Sequence, residues 1–217
     1  MKILCVSYRD WALEIYDYIS KNSEHQLLII DSYDDYSEEK VFEFNPDYIL
    51  FYGWSWIVSK EIILNYQCIM LHPSPLPKYR GGSPIQNQII EGEKKSMVTL
   101  FFMTDNLDDG DIILQKEISL IGHLSDIFAD IIKVGIELTN KFLDGDYILT
   151  KQVEKDATYC KRRKPSDSEI TLEDLKTKSS DYLFNKIRML EDPYPNAYIK
   201  TIDGKKLLLK FVELDNA

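Results

Sequence analysis

Residues 70–86 read M-L-H-P-S-P-L-P-K-Y-R-G-G-S-P-I-Q, and the fold class follows from what brackets them. An apolar run, Cys68-Ile69-Met70-Leu71, delivers the chain to His72. A turn-rich loop with Pro73, Pro75, Pro77 and the pair Gly81-Gly82 follows, and a helical pattern resumes at Ser83-Pro84. A histidine at the carboxyl end of a buried strand, followed by a long rigid loop, sits where open α/β sheets place their chemistry. Asp108 comes 36 residues after His72, in L-D-D-G-D-I, just past a second apolar run.

Working outward, residues 3–7, 26–30, 48–52 and 68–71 are short apolar runs of the kind buried in a parallel sheet. Helical patterns separate them. Trp11, Ile15 and Ile19 recur at spacing four, with Asp10 expected as the N-cap, and residues 59–66 form another helical stretch. Residues 98–103 and 112–118 are two further strands around the Asp108 loop. Ile127, Ile131, Val134, Leu138 and Phe142 mark a helix from Leu124 to Leu143, with His123 a polar residue near its start. The expectation is an α/β fold, a Rossmann-like mostly parallel sheet with helices on both faces. No G-x-G-x-x-G follows the first strand, so a dinucleotide has no evident seat.

Residues 1–150 form the main expected domain, and 151–217 a small subdomain of one helix and a β-hairpin turning at Asp203-Gly204. That subdomain is too short for a separate oligonucleotide-binding barrel. The 36 acidic against 26 basic residues, a net charge of −10, argue against a general nucleic-acid binder, though not against a local basic pocket. Cys5, Cys68 and Cys160 include no C-x-x-C pair and no metal-ligand spacing, and buried free thiols are expected at the first two. The chain opens on a strand rather than a signal peptide, and no apolar run reaches the eighteen residues of a membrane helix. A cytoplasmic protein without membrane contact is the expectation.

H-P-S-P-L-P-K-Y-R-G at 72–81, P-I-Q at 84–86 and L-D-D-G-D-I at 107–112 resemble the motif set of the 10-formyltetrahydrofolate-dependent formyltransferases. One position departs: the family's Asn two residues before the histidine is Met70 here. The resemblance implies formyl transfer to an amine, with His72 and Asp108 moving the proton and no metal. Such acyl transfer needs an imidazole near the amine and developing oxyanion, and a carboxylate to orient it. Met70 cannot donate a hydrogen bond, so an amide such as Asn65, Asn87 or Asn106 could substitute, or His72 and a backbone N–H could suffice. Trp54, Ser55, Trp56 and Ile57, with Thr104, Asp105, Leu107 and Asp108, would hold the folate as an apolar slot with free backbone groups. The competing reading of the tryptophans is packing at a strand end. Leu76-Pro77 is a candidate cis bond.

The family divides by acceptor. Y-C-K-R-R-K-P-S-D at 159–167, I-R-M-L at 187–190 and P-Y-P-N-A-Y at 193–198 resemble the sugar N-formyltransferases that act on nucleotide-linked amino sugars. That likeness implies a UDP- or dTDP-linked acceptor, bound by Arg162, Arg163 and Arg188, with Tyr194 stacked on the base. Arg9, Ser74, Pro75, Lys78, Arg80, Gly81 and Gln86 complete the expected substrate wall, although Arg9, Lys78, Arg80 and the 161–164 run also read as solvated charges. Gly82 stands where relatives accepting uronic acids carry Arg, which implies a neutral, 6-deoxy amino hexose destined for a surface polysaccharide or glycoconjugate. A homodimer through the C-terminal hairpin is implied by the same resemblance. The rivals are a sugar-nucleotide binding protein that lost catalysis with its Asn, and a glycinamide ribonucleotide transformylase.

Overall fold

The computed structural model describes residues 1–215. In chain order the first half comprises β1 (Lys2–Val6), α1 (Asp10–Asn22), β2 (Gln26–Ile30), α2 (Glu38–Phe44), β3 (Tyr48–Tyr52), α3 (Lys60–Asn65), β4 (Gln67–His72), β5 (Arg80–Gly81) and α4 (Pro84–Ile90). The second half comprises β6 (Lys95–Phe102), β7 (Ile112–Ser119), α5 (Leu124–Leu143), β8 (Tyr159–Cys160), α6 (Leu172–Thr177), α7 (Ser180–Arg188), β9 (Ala197–Lys200) and β10 (Lys206–Leu209). A six-stranded sheet runs β2-β1-β3-β4-β6-β7, with β1 to β4 parallel and β6 and β7 antiparallel. The expected α/β sheet with helices on both faces is what the chain forms.

Alternation along the buried strands decides which side chains meet. Ile3 and Cys5, Leu50 and Tyr52, Ile69 and Leu71 point into one core with Ile15, Ile131 and Leu138 from α1 and α5. Leu4 and Val6, Ile49 and Phe51, and Cys68 point into the other, with Val41 and Ile62 from α2 and α3. The larger core also takes Ile170, Ile187, Met189 and Ala197, so it crosses residue 150. Cys5 and Cys68 are buried free thiols, and burial pushes the Cys68 thiol up to about 12.

One helix start differs from the sequence expectation. Asp10 is the first residue of α1, and Arg9 is its N-cap with no side-chain bond. An acidic residue in the first turn still favours the helix through its dipole. At α5, His123 is the N-cap inside a capping box with Asp126, and its ring meets the Glu191 carboxylate and stacks on Phe211. It is a structural residue. The hairpin of β9 and β10 forms a separate two-stranded sheet around Asp203-Gly204, as the turn residues predict.

Candidate active site

The sheet reverses its order at β1, between β2 and β3, and the carboxyl ends of β1, β3 and β4 share one edge. Ligands of open α/β sheets bind outside such an edge. Here the edge carries Arg9 after β1, the 53–58 segment after β3 and His72 at the end of β4. Cys68, Met70 and His72 lie on one face of β4, so the residue two before the histidine is its neighbour on that face.

Asp108 arrives by a route that the strand pattern does not show. β6 runs antiparallel to β4, with Ile69 opposite Phe102 and His72 opposite Thr99, so β6 ends away from the histidine. The ladder closes with Met103 N–H donating to Cys68 O. The 104–108 segment then folds back over the face bearing Met70 and His72. Asp108 turns there with φ +52°, a left-handed conformation that a non-glycine residue holds only where its surroundings fix it.

Both polar side chains are fixed by one short stretch of backbone. The buried His72 ring donates Nε2–H to Tyr79 O at 2.8 Å, since a carbonyl can only accept. That bond selects the Nε2–H tautomer and leaves Nδ1 facing Asp108 Oδ2, 3.7 Å away. Asp108 Oδ2 also accepts the Gly81 N–H at 2.8 Å. Gly81 has φ +102°, and a Cβ there would lie 2.5 Å from Cys160 O, so only glycine allows β5 to run against β8. Burial pushes the Cys160 thiol up, and Sγ–H approaches Tyr79 O and Arg80 O. The Tyr79 hydroxyl is pushed up by burial and then by Glu91 and Glu93, whose carboxylates accept its proton.

A cavity of about 820 Å³ opens beside this pair. One wall is Trp54, Ser55, Trp56, Ile57 and Val58, facing Met103 and the 104–108 loop. Trp54 is buried, while Trp56 is half-exposed and stacks on Tyr33 at 4.5 Å between ring centroids. Ser55 is pinned by a 2.6 Å bond to Tyr8. The lining also includes Arg9, Gly81, Gly82, Gln86, Arg162, Arg163 and Tyr194. No ion pair among the described residues engages Arg9, Arg162 or Arg163. Arg9 lies over the rings of Tyr8 and Tyr194, at 4.5 and 5.4 Å. The Arg163 Nε and the Gln86 Nε2 are buried without partners. A Cβ on Gly82 would sit 2.6 Å from the Arg162 Cβ, so that residue gives Arg162 its place.

Several residues expected on the substrate wall are elsewhere. Ser74 is fully buried, and its hydroxyl closes the loop on Lys78 O. Pro75 and Lys78 do not line the cavity. Arg80 is 1% exposed and bonded to Gln152, Glu154 and Tyr159. Arg188 is buried on α7 and caps Leu120 O and Gly122 O at 2.9 and 2.7 Å. Those carbonyls precede α5, and with Nε on Asn185 Oδ1 they commit the Nε and Nη1 protons of the guanidinium to the fold. Of the amides expected to replace the missing Asn, Asn65 bonds Glu61 O and Asn87 spans Gly82 O, Ser83 O and Lys161 O. Asn106 lines the cavity but donates to Asp109. Gln86 holds the free amide donor. Leu76-Pro77 is cis, as is Asp192-Pro193.

The Formyl transferase family profile matches residues 20–127. A solved methionyl-tRNA formyltransferase from Clostridium thermocellum is 32% identical, with a TM-score of 0.85 and 96% of each chain covered. The chain belongs to the formyl transferase family. The methionyl-tRNA formyltransferase of Campylobacter curvus is 33% identical over 82% of this chain and 56% of its own length. The chain thus spans about half the length of the curated relatives it matches. A sugar N-formyltransferase from Shewanella shares the fold at 18% identity, with a TM-score of 0.77 and cover of 100% of this chain and 99% of that one. No helix among the described residues is long and apolar enough to cross a membrane, and no group of His, Cys, Asp and Glu among them is arranged to hold a metal.

Proposed function

We propose that the protein transfers a formyl group from 10-formyltetrahydrofolate to the amine of a UDP- or dTDP-linked amino sugar. The observation that carries this reading is the single cavity itself. It joins the His72–Asp108 pair to an aromatic slot and to three cations without ion-pair partners, in a chain of net charge −10.

The residues present fit a folate. Trp54, Trp56 and Ile57 offer an apolar slot for a flat heterocycle, and the 104–108 backbone, which has left the sheet ladder, faces it with unladdered amide groups. 10-Formyltetrahydrofolate supplies an activated formyl carbon. The protein must then orient the acceptor amine, take its proton and meet the charge that develops on the formyl oxygen. His72 Nδ1 is the free base of the selected tautomer, and Asp108 stabilises the imidazolium once the proton arrives. Met70 supplies no donor at its position, so donation to the oxygen falls to the histidine after it is protonated and to the unpartnered Gln86 Nε2. Arg9, Arg162 and Arg163 would hold the diphosphate, since a guanidinium pairs with such oxygens in bidentate fashion. Tyr194 would stack on the base.

Transfer to methionyl-tRNA is the second reading, favoured by 32% identity to the Clostridium protein over almost the whole chain. The net charge of −10 speaks against it, because the field of the whole chain repels a polyanion even where a local basic run is present. One assay separates the two. The protein is incubated with 10-formyltetrahydrofolate and, in turn, UDP- and dTDP-linked amino sugars, glycinamide ribonucleotide and methionyl-tRNA, and tetrahydrofolate release is measured. Release with a nucleotide sugar is expected. Release with methionyl-tRNA alone would replace the acceptor, and silence throughout with folded protein would overturn the activity.

A further inference from the structure

We infer that Arg80 and Gln152 are positioning residues: the buried Arg80 and the partly buried Gln152 form a clasp that sets the distance and tautomer of the His72–Asp108 pair. The inference rests on the formyl-transfer reading for its kinetic consequence and on geometry alone for its structural one.

The two backbone groups that hold the pair flank a single residue. Tyr79 O accepts a hydrogen bond from His72 Nε2–H, and Gly81 N–H donates to Asp108 Oδ2. Arg80 lies between them. Its side chain turns away from the cavity and is 1% exposed, which an unpaired guanidinium could not tolerate. Nε and Nη2 both donate to Gln152 Oε1, at 3.1 and 2.9 Å, and Nη1 donates to Glu154 Oε2 at 2.8 Å and Tyr159 Oη at 2.9 Å.

Gln152 carries the link onward. Its Nε2 donates to Asp108 O at 2.9 Å and Gly110 O at 2.8 Å. Both lone pairs of its oxygen and both protons of its nitrogen are therefore used. The bonds close a ring: from Arg80 through Gln152 to Asp108 O, through the Asp108 side chain to the Gly81 N–H, and back along the backbone to Arg80, with His72 tied to it by Tyr79 O and its Nδ1 held 3.7 Å from Asp108 Oδ2. Tyr79 and Asp108, the two ends that this ring constrains, have φ +60° and +52°. Residues held in that region relax when their supports are removed. Displacement of a catalytic group by about 1 Å costs on the order of 10²-fold in rate.

Gln152→Glu is the informative substitution. A carboxylate keeps the bonds from Arg80 but offers only lone pairs to Asp108 O and Gly110 O, so it opens the ring at the aspartate loop. Glu154→Gln, at a mostly exposed side chain that keeps an acceptor for Nη1, is the control. The chain has three histidines, so nitrogen-15 spectra of histidine-labelled protein resolve His72 readily. Wild type and Glu154→Gln should show a slowly exchanging Nε2–H tautomer at His72. In Gln152→Glu that signal should average between tautomers, and kcat should fall roughly 10- to 100-fold with KM for the acceptor changed less than about 2-fold. If that variant does not fold, Arg80→Lys takes its place, because an ammonium keeps the charge but not the fork. An unaltered His72 spectrum in a folded clasp variant, whatever its activity, overturns the inference. Wild type silent towards every acceptor would instead defeat the formyl-transfer reading, and the spectra would still decide the clasp.

Discussion

Two sets of groups around the cavity are built on opposite plans. On the His72 side, each polar group has a set partner: the histidine, the aspartate and Arg80 each bond a named atom, and the loop beneath them is tied by Thr99 to Ser74 O, Gln115 to Leu76 O and Gln88 to Pro73 O. Of the cations and amides of the lining, Arg9, Arg162 and Arg163 have no ion-pair partner among the described residues, and the Arg163 Nε and Gln86 Nε2 bond nothing, while Arg163 Nη2 donates to Asp167 O at 3.1 Å. A buried donor without a partner carries a cost of about 1–3 kcal/mol, which a ligand removes by binding. The contrast separates reaction from recognition. Chemistry is placed where geometry is over-determined, and affinity where groups wait for an anion.

Four substitutions test that division. The largest effect belongs to His72→Ala, which should lower kcat by about 10²–10⁴ with ligand affinity retained, measured by formyl-transfer kinetics beside calorimetry. If affinity collapses too, the two sets are not separable. Next is Met70→Asn, which puts a donor beside the histidine on the same face of β4. It should raise kcat by up to about 10²-fold, short of the full 10²–10³ of a missing donor because Gln86 Nε2 already donates to the oxygen. A gain of the full size would mean that Gln86 does not fill the role.

Arg163→Met should weaken UDP or dTDP binding by about 10- to 100-fold, the loss of one charge-assisted pair, and leave kcat at saturation unchanged. Titration calorimetry with each nucleotide reads it and also settles the base. The smallest effect lies away from the cavity. Asp174 is held below the usual carboxylate range, first by the Thr171 N–H and then by Lys186. Its contribution is complete above the ordinary aspartate pKa of about 3.9 and is lost as pH falls through the lower folded value, because the unfolded chain binds the proton first. Asp174→Ala should cost about 1–2 kcal/mol at pH 7 by denaturant titration, and less in acid.

The sequence exposed what depends on local pattern. The limits of β2, β3 and α5 follow from contiguous apolar runs and a 3.6-residue stripe, and the histidine falls where the run of β4 ends. What it hid is long-range. Strands of two residues, such as β5 and β8, have no period, so their pairing left no trace. Arg80 reads as a loop charge because its partners lie 72 to 79 residues further on. Arg188 follows the apolar Ile187 of the α7 stripe, and its use as a cap for the carbonyls before α5 is set by docking of that helix. The antiparallel turn from β6 to β7 hid how Asp108 reaches His72, since hydrophobic runs carry no direction.

The span between Arg80 and Gln152 also orders events during folding. Strands β1 to β4 and α1 to α3 pair with neighbours close in sequence, and such local contacts form early. The tautomer of His72 and the placement of Asp108 wait on a loop of seventy-two residues being closed. The alignment of His72 with Asp108 therefore belongs to the long-range contacts of the chain rather than to its local pairings.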